Sequence, residues 1–257
     1  MKIDISADVG ESFGRYKLGF DDELMPFISS ANIACGWHAG DPMIMRYTVK
    51  LAKRHGVCVG SHAGFMDLMG FGRRAMHVSP EEYKNYIIYQ MGALSAISNA
   101  EGVKPQHATV HGAAGQMYYD NQDLSKAFVE AVAEVDDSLI IPIIYGPKGE
   151  ALSYEADRMG IRKVKKFFID RAYTKDGNLV NRQIEGSVIT SSDEVLKRTI
   201  RMIRKKKVKT VDGHDIEIDA QCLMMHGDTQ KAVKMAKSLY RGIEAEGINI
   251  VSMSQLI

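Results

Sequence analysis

The chain has 257 residues, 45% of them hydrophobic and 25% charged, enough to bury one large core and typical of a folded domain rather than a disordered one. Lys and Arg number 33 against 32 Asp and Glu, so no overall charge bias points to nucleic acid or anionic lipid. No basic-apolar-small leader opens the sequence and no apolar run reaches bilayer length; a single domain over 1–257, cytoplasmic and without a membrane partner, is expected.

In chain order, short apolar runs predict strands at Ile3–Ala7, Ala31–Cys35, Val57–Ser61, Ala108–His111, Leu139–Tyr145, Val164–Ile169 and Cys222–His226. Between the second and third, Asp41 is placed to cap a helix that begins at Pro42 and stops before Gly56. Ser79, Pro80 and Glu82 form a capping box for a helix running towards Gly102. The basic run from Arg201 to Lys209 reads as a solvated helix end, where positive charge suits the dipole. The alternation over 207–219, turning at Asp212 and Gly213, predicts a β-hairpin insertion; Asp228 is placed to open a last helix that closes at Gly247. Strands alternating with helices predict a parallel sheet, as a closed or distorted β/α barrel or an open doubly wound sheet, and the barrel is preferred.

One device recurs. "KIDISADVGE" ends on Asp8 and Glu11, "SANIACGWHAGDP" on His38 and Asp41, "GVCVGSHAGF" reaches His62, "HATVHGAAG" reaches His111, and "AQCLMMHGDT" reaches His226 and Asp228. Each ionisable residue follows an apolar run, at the end of a parallel strand where such folds gather their chemistry. Asp8 and Glu11 have no cap to form, whereas Asp41 and Asp228 serve equally as caps or as site residues. His55, His77 and His214 lack this setting and are expected on the surface. The three cysteines, odd in number and set in apolar runs, predict reduced thiols; Cys35 beside His38 is read as a core thiol before a nucleophile. No full nucleotide-binding motif is present, since "GPKGEA" at 146–151 lacks the Walker A ending. "GFGRR" at 70–74 offers paired arginines suited to a carboxylate or phosphate, or an ordinary exposed loop.

Taken together, "DISADVGESFG" (4–14), "SANIACGWHAGDP" (30–42), "GSHAGFMDLMGFGRR" (60–74), "FIDRAY" (168–173) and "HGDT" (226–229) resemble the LamB/YcsF family, in order and over nearly the whole chain. The resemblance implies a seven-stranded β/α barrel of the glycoside hydrolase/deacetylase type. It implies ATP-dependent opening of the 5-oxoproline (pyroglutamate) lactam to glutamate, with the chain serving as one component of a 5-oxoprolinase that has two further subunits. The motif residues carried over are Asp8, Glu11, Asn32, His38, Asp41, His62, Arg73, Asp170, Arg171, His226 and Asp228, with His111 matching a motif histidine. Against the family pattern, Ser6 stands for Asn, "HAG" at 62–64 for His-Pro-Gly, and "TVHGAAGQ" at 109–116 for Lys-Pro-His-Gly-Ala-Leu-Tyr-Asn, so that Thr109 replaces a lysine beside the pocket. A threonine cannot polarise a carbonyl or meet a phosphate as lysine does, so the substrate or rate is open to change.

Lactam chemistry fits this inventory. Phosphorylation by ATP makes the amide oxygen a leaving group, and water then attacks. Asp8 or Glu11 is the candidate base, His62 or His111 the acid or donor, and Arg73 the anchor of the substrate carboxylate, with His38 and His226 completing the catalytic set and Asn32, Asp41, Asp170, Arg171 and Asp228 the binding set. Two other readings stay open: a deacetylase-like hydrolase with a divalent metal on Asp8, His38 and His62, and a non-catalytic subunit that binds a related lactam or metabolite, alone or as a homo-oligomer.

Overall fold

Apolar β-branched runs that stop at glycine become parallel strands, and the capped segments between them become crossover helices. In a computed structural model, which describes residues 1–226 and 230–257, the elements are β1 (Lys2–Val9), α1 (Asp21–Leu24), β2 (Ser30–Ala34), α2 (Pro42–His55), β3 (Cys58–Ala63), α3 (Pro80–Ala100) and β4 (His107–Val110). They continue with α4 (Gly112–Asp120), α5 (Gln122–Asp136), β5 (Ile140–Ile144), α6 (Glu150–Arg158), β6 (Arg162–Phe168), α7 (Ser192–Lys205), β7 (Lys207–Lys209), β8 (Asp215–Glu217), β9 (Cys222–Met225), α8 (Gln230–Ala245) and β10 (Asn249–Ile250).

The strands β1-β2-β3-β4-β5-β6-β9 lie side by side and all parallel, and β9 pairs back onto β1, closing a seven-stranded β/α barrel. The closure is distorted at one seam, where β4 and β5 share the single register pair His107↔Ile140. β10 extends β1 outside the ring, and β7 pairs antiparallel with β8. The basic run does more than end a helix. Lys206 leaves α7 in the left-handed region (φ +55°), the chain enters β7, and Arg201 grips Asp215 of β8 through two bonds of 2.7 and 2.6 Å. Asp41 Oδ1 accepts from the backbone N–H of Met43 and Ile44 at the start of α2, and Ser79 with Glu82 closes a capping box on α3. Among the described residues, no helix is long and apolar enough to cross a membrane.

Alternation along each strand decides which side chains enter the barrel. Ile3, Ile5, Ala7 and Val9 of β1 face outwards into one apolar cluster with Val49, Leu239 and Ile243. Ala108, Ile141 and Ile143 face a second with Tyr83, Phe128 and Leu152. The foot of the barrel is plugged by Ile140, Val164, Cys222 and Met253. Above that plug the interior is polar, whereas barrels of this kind usually fill it with branched apolar side chains. Asp4, Ser6, Asp8, Ser30, Asn32, His62, His107, Thr109 and Lys166 are all buried. Asp4 accepts from the hydroxyls of Ser29 (2.8 Å) and Ser30 (2.6 Å), and burial pushes its carboxyl up to about 6.

Cys35 lies just past β2 with its Sγ 3.2 Å from the carbonyl of Ile33; burial pushes its thiol up to about 12, which suits a core residue and not a nucleophile. Cys222 is likewise a buried free thiol, and Cys58 is half-buried.

Candidate active site

Parallel strands deliver their last inward residues to one rim, so the ionisable residues that end β1, β3 and β4 and begin the loop after β2 meet there. Asp8 comes from β1. Its Oδ1 accepts from Asn32 Nδ2 (3.0 Å) on the adjacent β2 and lies 3.3 Å from His62 Nε2 on β3. Burial alone would raise this carboxyl; the charge and hydrogen bond of His62, with His226 and His111 nearby, overcome that and hold it well below the usual carboxylate range. Asp8 is therefore ionised at neutral pH.

His62 Nε2 also lies 3.0 Å from His111 Nδ1, and His111 Nε2 lies 2.9 Å from the carbonyl of Phe71. A carbonyl only accepts, so His111 carries its proton on Nε2 and presents Nδ1 as the acceptor; this assigns the His62 proton to Nε2. His38 stacks on His111 with ring centroids 4.0 Å apart and planes 3° from parallel. Burial, followed by the neighbouring histidines, pushes His38 well below its ordinary value, and burial pushes His111 down to about 3. Both are neutral imidazoles at pH 7. His38 Nδ1 and Nε2 and His62 Nδ1 are buried without a hydrogen-bond partner among the described residues. Glu11 joins the group, with Oε1 3.7 Å from His38 Nε2 and 3.8 Å from His111 Nδ1. One donor atom from each of Glu11, His38, His62 and His111 lies within 4.8 Å of all the others.

Two glycines make room for this packing. A Cβ at Gly64 would stand 2.5 Å from His38 Nδ1, and one at Gly72 (φ +64°) would stand 2.6 Å from His38 Cβ. Phe71, just before Gly72, holds the left-handed conformation at φ +53° and presents its ring edge-on to His38 and His111. Backbone strain of this kind is characteristic of functional sites.

A second acid–histidine pair forms across the rim. His226 Nδ1 lies 2.7 Å from Asp170 Oδ2, which also accepts from the His226 backbone N–H. Burial would lower His226, but the Asp170 carboxylate outweighs it and raises the imidazole above its ordinary value. Phe168 lies against this ring, centroids 6.0 Å apart.

The remaining candidates have other positions. Asp41 spends its carboxylate on the cap of α2 and on the backbone N–H of Gly14 (2.7 Å). Arg171 points into the 171–188 loop, donating to the carbonyls of Val180 (2.6 Å) and Ser187 (3.3 Å). Arg73 is exposed, its guanidinium 5.1 Å from the centre of the Phe71 ring, and Arg74 pairs with Asp67. His55, His77 and His214 are exposed, and Asp228 lies outside the described residues. Thr109 is buried and inward-facing beside His62, its register partner.

Sequence reasoning passed over three interior residues. His107 Nε2 lies 2.8 Å from Asn32 Oδ1, extending the chain His107–Asn32–Asp8–His62–His111 through the barrel; burial pushes it down to about 3. Asp4 and Lys166 are the others. Two strand periods before His111, His107 was open to discovery from alternation, which puts 107, 109 and 111 on one face.

The LamB/YcsF family profile matches residues 3–257. The chain is 48% identical to a Thermococcus sibiricus protein named as a subunit of 5-oxoprolinase and 45% identical to the Pyrococcus furiosus protein of that name, covering 100% of both chains in each case. A Campylobacter jejuni protein of the same name is 43% identical, over 100% of this chain and 99% of its own. The solved structure of a lactam utilization protein from Thermus thermophilus superposes with a TM-score of 0.91 at 38% identity, covering 98% of this chain and 100% of that one. By sequence over its whole length and by the course of its backbone, this chain belongs to the LamB/YcsF family.

Proposed function

We propose that the chain provides the lactam-opening site of an ATP-dependent 5-oxoprolinase, acting with partner subunits on 5-oxoproline to release glutamate. The relatives named as 5-oxoprolinase subunits support the substrate and the existence of other components. The single observation that carries the chemistry is the pairing of opposite proton states at one rim: an ionised Asp8 held by Asn32 and His62, facing a His226 raised by Asp170. An unstrained lactam resists water until its oxygen is phosphorylated, and ATP supplies that phosphoryl group. The oxygen of one water then bonds to the activated carbon while its proton passes to Asp8; the ring C–N bond breaks as the nitrogen takes a proton from His226, leaving an acyl phosphate, and a second water displaces phosphate from that carbon to give the carboxylate of glutamate. Of the candidate bases, Asp8 is preferred over Glu11 because Asn32 and His62 fix its carboxylate at the end of β1. His226 is preferred over His62 and His111 as acid because His111 is pushed down to about 3 and His62 is engaged between Asp8 and His111.

The test is glutamate formation from 5-oxoproline and ATP by the chain with its partner subunits. Asp8→Asn is expected to fold normally and to lose at least about 100-fold in turnover, the usual worth of a positioned base. Wild-type turnover in Asp8→Asn removes Asp8 from the mechanism. Full activity after alanine replacement of Asp8, His62 and His226 together establishes the non-catalytic reading instead.

A second reading has its own observation. The three unpartnered nitrogens of His38 and His62, with Glu11 and His111 within 4.8 Å, fit a divalent ion such as zinc. The ligand set is then Glu11, His38, His62 and His111 rather than Asp8, His38 and His62, because Asp8 is taken up by Asn32 and His62. Such an ion supplies Lewis acidity and an acidified water. The hydrogen bond between His111 Nε2 and Phe71 is the kind of outer contact that orients a metal-bound imidazole. Titration of the metal-free protein with Zn²⁺ is expected to show one equivalent bound tightly and a weakening of at least about 10-fold in His38→Ala; absence of stoichiometric binding discards the reading.

A further inference from the structure

We propose that Lys166 is the residue that receives the carboxylate of the substrate, at the floor of the site inside the barrel. The inference deepens the lactam-opening proposal and rests on it for the identity of the ligand.

Lys166 is the one buried lysine among the described residues, 6% exposed, and lysine is a residue type for which full burial without a partner is rare. It enters the barrel because it shares its register with Cys222 of β9 and Ile144 of β5, both inward. No described residue gives it a hydrogen bond or an ion pair; its ammonium lies 5.1 Å from the centre of the Phe168 ring, which in turn lies against His226. Asp4, the other buried charge-bearing residue of this layer, accepts from Ser29 and Ser30 at Oδ1, keeps Oδ2 without a hydrogen-bond partner among the described residues, and forms no ion pair with Lys166. A buried ammonium without an anion is costly, and lysine is strongly hydrated, so a fold keeps one inside where a ligand supplies the missing charge.

Position selects the ligand group. Lys166 lies two residues, one inward step, before Phe168, and therefore below the layer that holds His226. A nucleotide phosphate approaching from the rim meets Asp8, His62 and His226 first. A carboxylate on a five-membered ring is far smaller than a nucleotide, and with that carboxylate on Lys166 the ring amide would extend back towards those three residues. Arg73, exposed over Phe71, stays at the entrance. His107 stands between the two halves of this floor. Its Nε2 reaches Asn32, its Nδ1 is buried without a described partner, and it feels the charge of Lys166.

The test compares binding of L-5-oxoproline with that of its uncharged carboxamide, by calorimetry or ligand-observed NMR, to wild type, Lys166→Met and Lys166→Arg. Wild type is expected to prefer the acid by about 10- to 100-fold, the range of one charge-assisted hydrogen bond. Lys166→Met is expected to lose that preference while binding the carboxamide as wild type does, and Lys166→Arg to retain part of it. Lys166→Met is also expected to melt no lower than wild type, because the methionine removes an unpartnered buried charge and keeps the volume. A preference that survives in Lys166→Met, a wild type that binds acid and amide alike or neither, or a Lys166→Met that loses both ligands equally and melts well below wild type overturns the assignment. Glutamate formation by the complete complex reports on the reaction separately: a complex that makes glutamate with no acid preference in this chain sinks Lys166 alone, and a chain that binds the acid through Lys166 in a complex that makes no glutamate sinks the reaction alone.

Discussion

Replacing Gly60 by alanine drives a methyl group into the ring of His107. The added Cβ would stand 2.3 Å from both Cδ2 and Nε2 of that ring, and the two residues are register partners on β3 and β4, so neither strand can slide to relieve the contact. Gly60 does not use the left-handed region, so the collision and not backbone strain carries the effect. His107 is wholly buried and must swing away from Asn32, losing the 2.8 Å bond and leaving a buried amide oxygen unpaired. Overpacking costs about 1–3 kcal/mol and the orphaned acceptor about 1–3 kcal/mol; the reduced freedom of the unfolded chain returns about 0.4–1 kcal/mol. A net loss of roughly 2–4 kcal/mol lowers Tm by about 5–15 °C in a domain of this size. Because Asn32 also holds Asp8, turnover should fall well below the melting range. Adding His107→Ala vacates the space for the new methyl, so the double variant should recover at least about 1 kcal/mol relative to Gly60→Ala. Thermal unfolding of the four proteins of this cycle decides. A Gly60→Ala melting within about 1 °C of wild type, or a double variant no more stable than Gly60→Ala, refutes the packing argument.

Two further outcomes concern proton states. Asp170→Asn removes the charge that raises His226, so the alkaline limb of kcat/KM should move to lower pH; a raised histidine contributes its stability below about pH 6.5 and loses it as pH rises, so the variant should lose stability mainly on the acid side of that value. An unmoved limb excludes His226 as the acid. His107, held neutral down to about 3, has a depressed value, so its contribution is present above about pH 6.5 and is lost as pH falls through the window to about 3. His107→Gln should therefore flatten the urea-midpoint profile between those limits, by up to about 1.4 kcal/mol per pH unit, and an unchanged slope means His107 is charged in the fold.

The barrel was legible because its signals are local. Asp41 with Pro42, and Ser79 with Glu82, announce helix starts through bonds made within one turn, and the chain obeys them. The strand ends carrying Asp8, His38, His62, His111 and His226 are legible for a similar reason, since a polar residue after an apolar run marks the rim of a parallel sheet. What sequence could not show is which partner each acid takes. Asp41 is consumed by its cap and Gly14, and Arg171 by loop carbonyls nine and sixteen residues on, pairings that depend on how the loops fold. Lys166 was hidden differently. In "RKVKKFF" it stands among four basic residues, and only closure of the barrel by β9 turns that one inward.

The same alternation explains how the chain maintains a polar interior at all. On β1, Ile3, Ile5, Ala7 and Val9 enter the outer apolar cluster, while Asp4, Ser6 and Asp8 between them enter the barrel. β4 repeats the division, with Ala108 and Val110 outwards and His107 and Thr109 inwards. Each strand thus stabilises the fold with one face and carries chemistry on the other, one residue apart. Burying unpartnered imidazole nitrogens and an ammonium costs free energy that an interior of branched aliphatics would not. Helices packed around the whole ring offset that cost from outside, which leaves the inner face open to the demands of the reaction. It follows that inward and outward substitutions on one strand should separate: a change at Asp8 acts on turnover, whereas one at Ile5 acts on stability through lost packing.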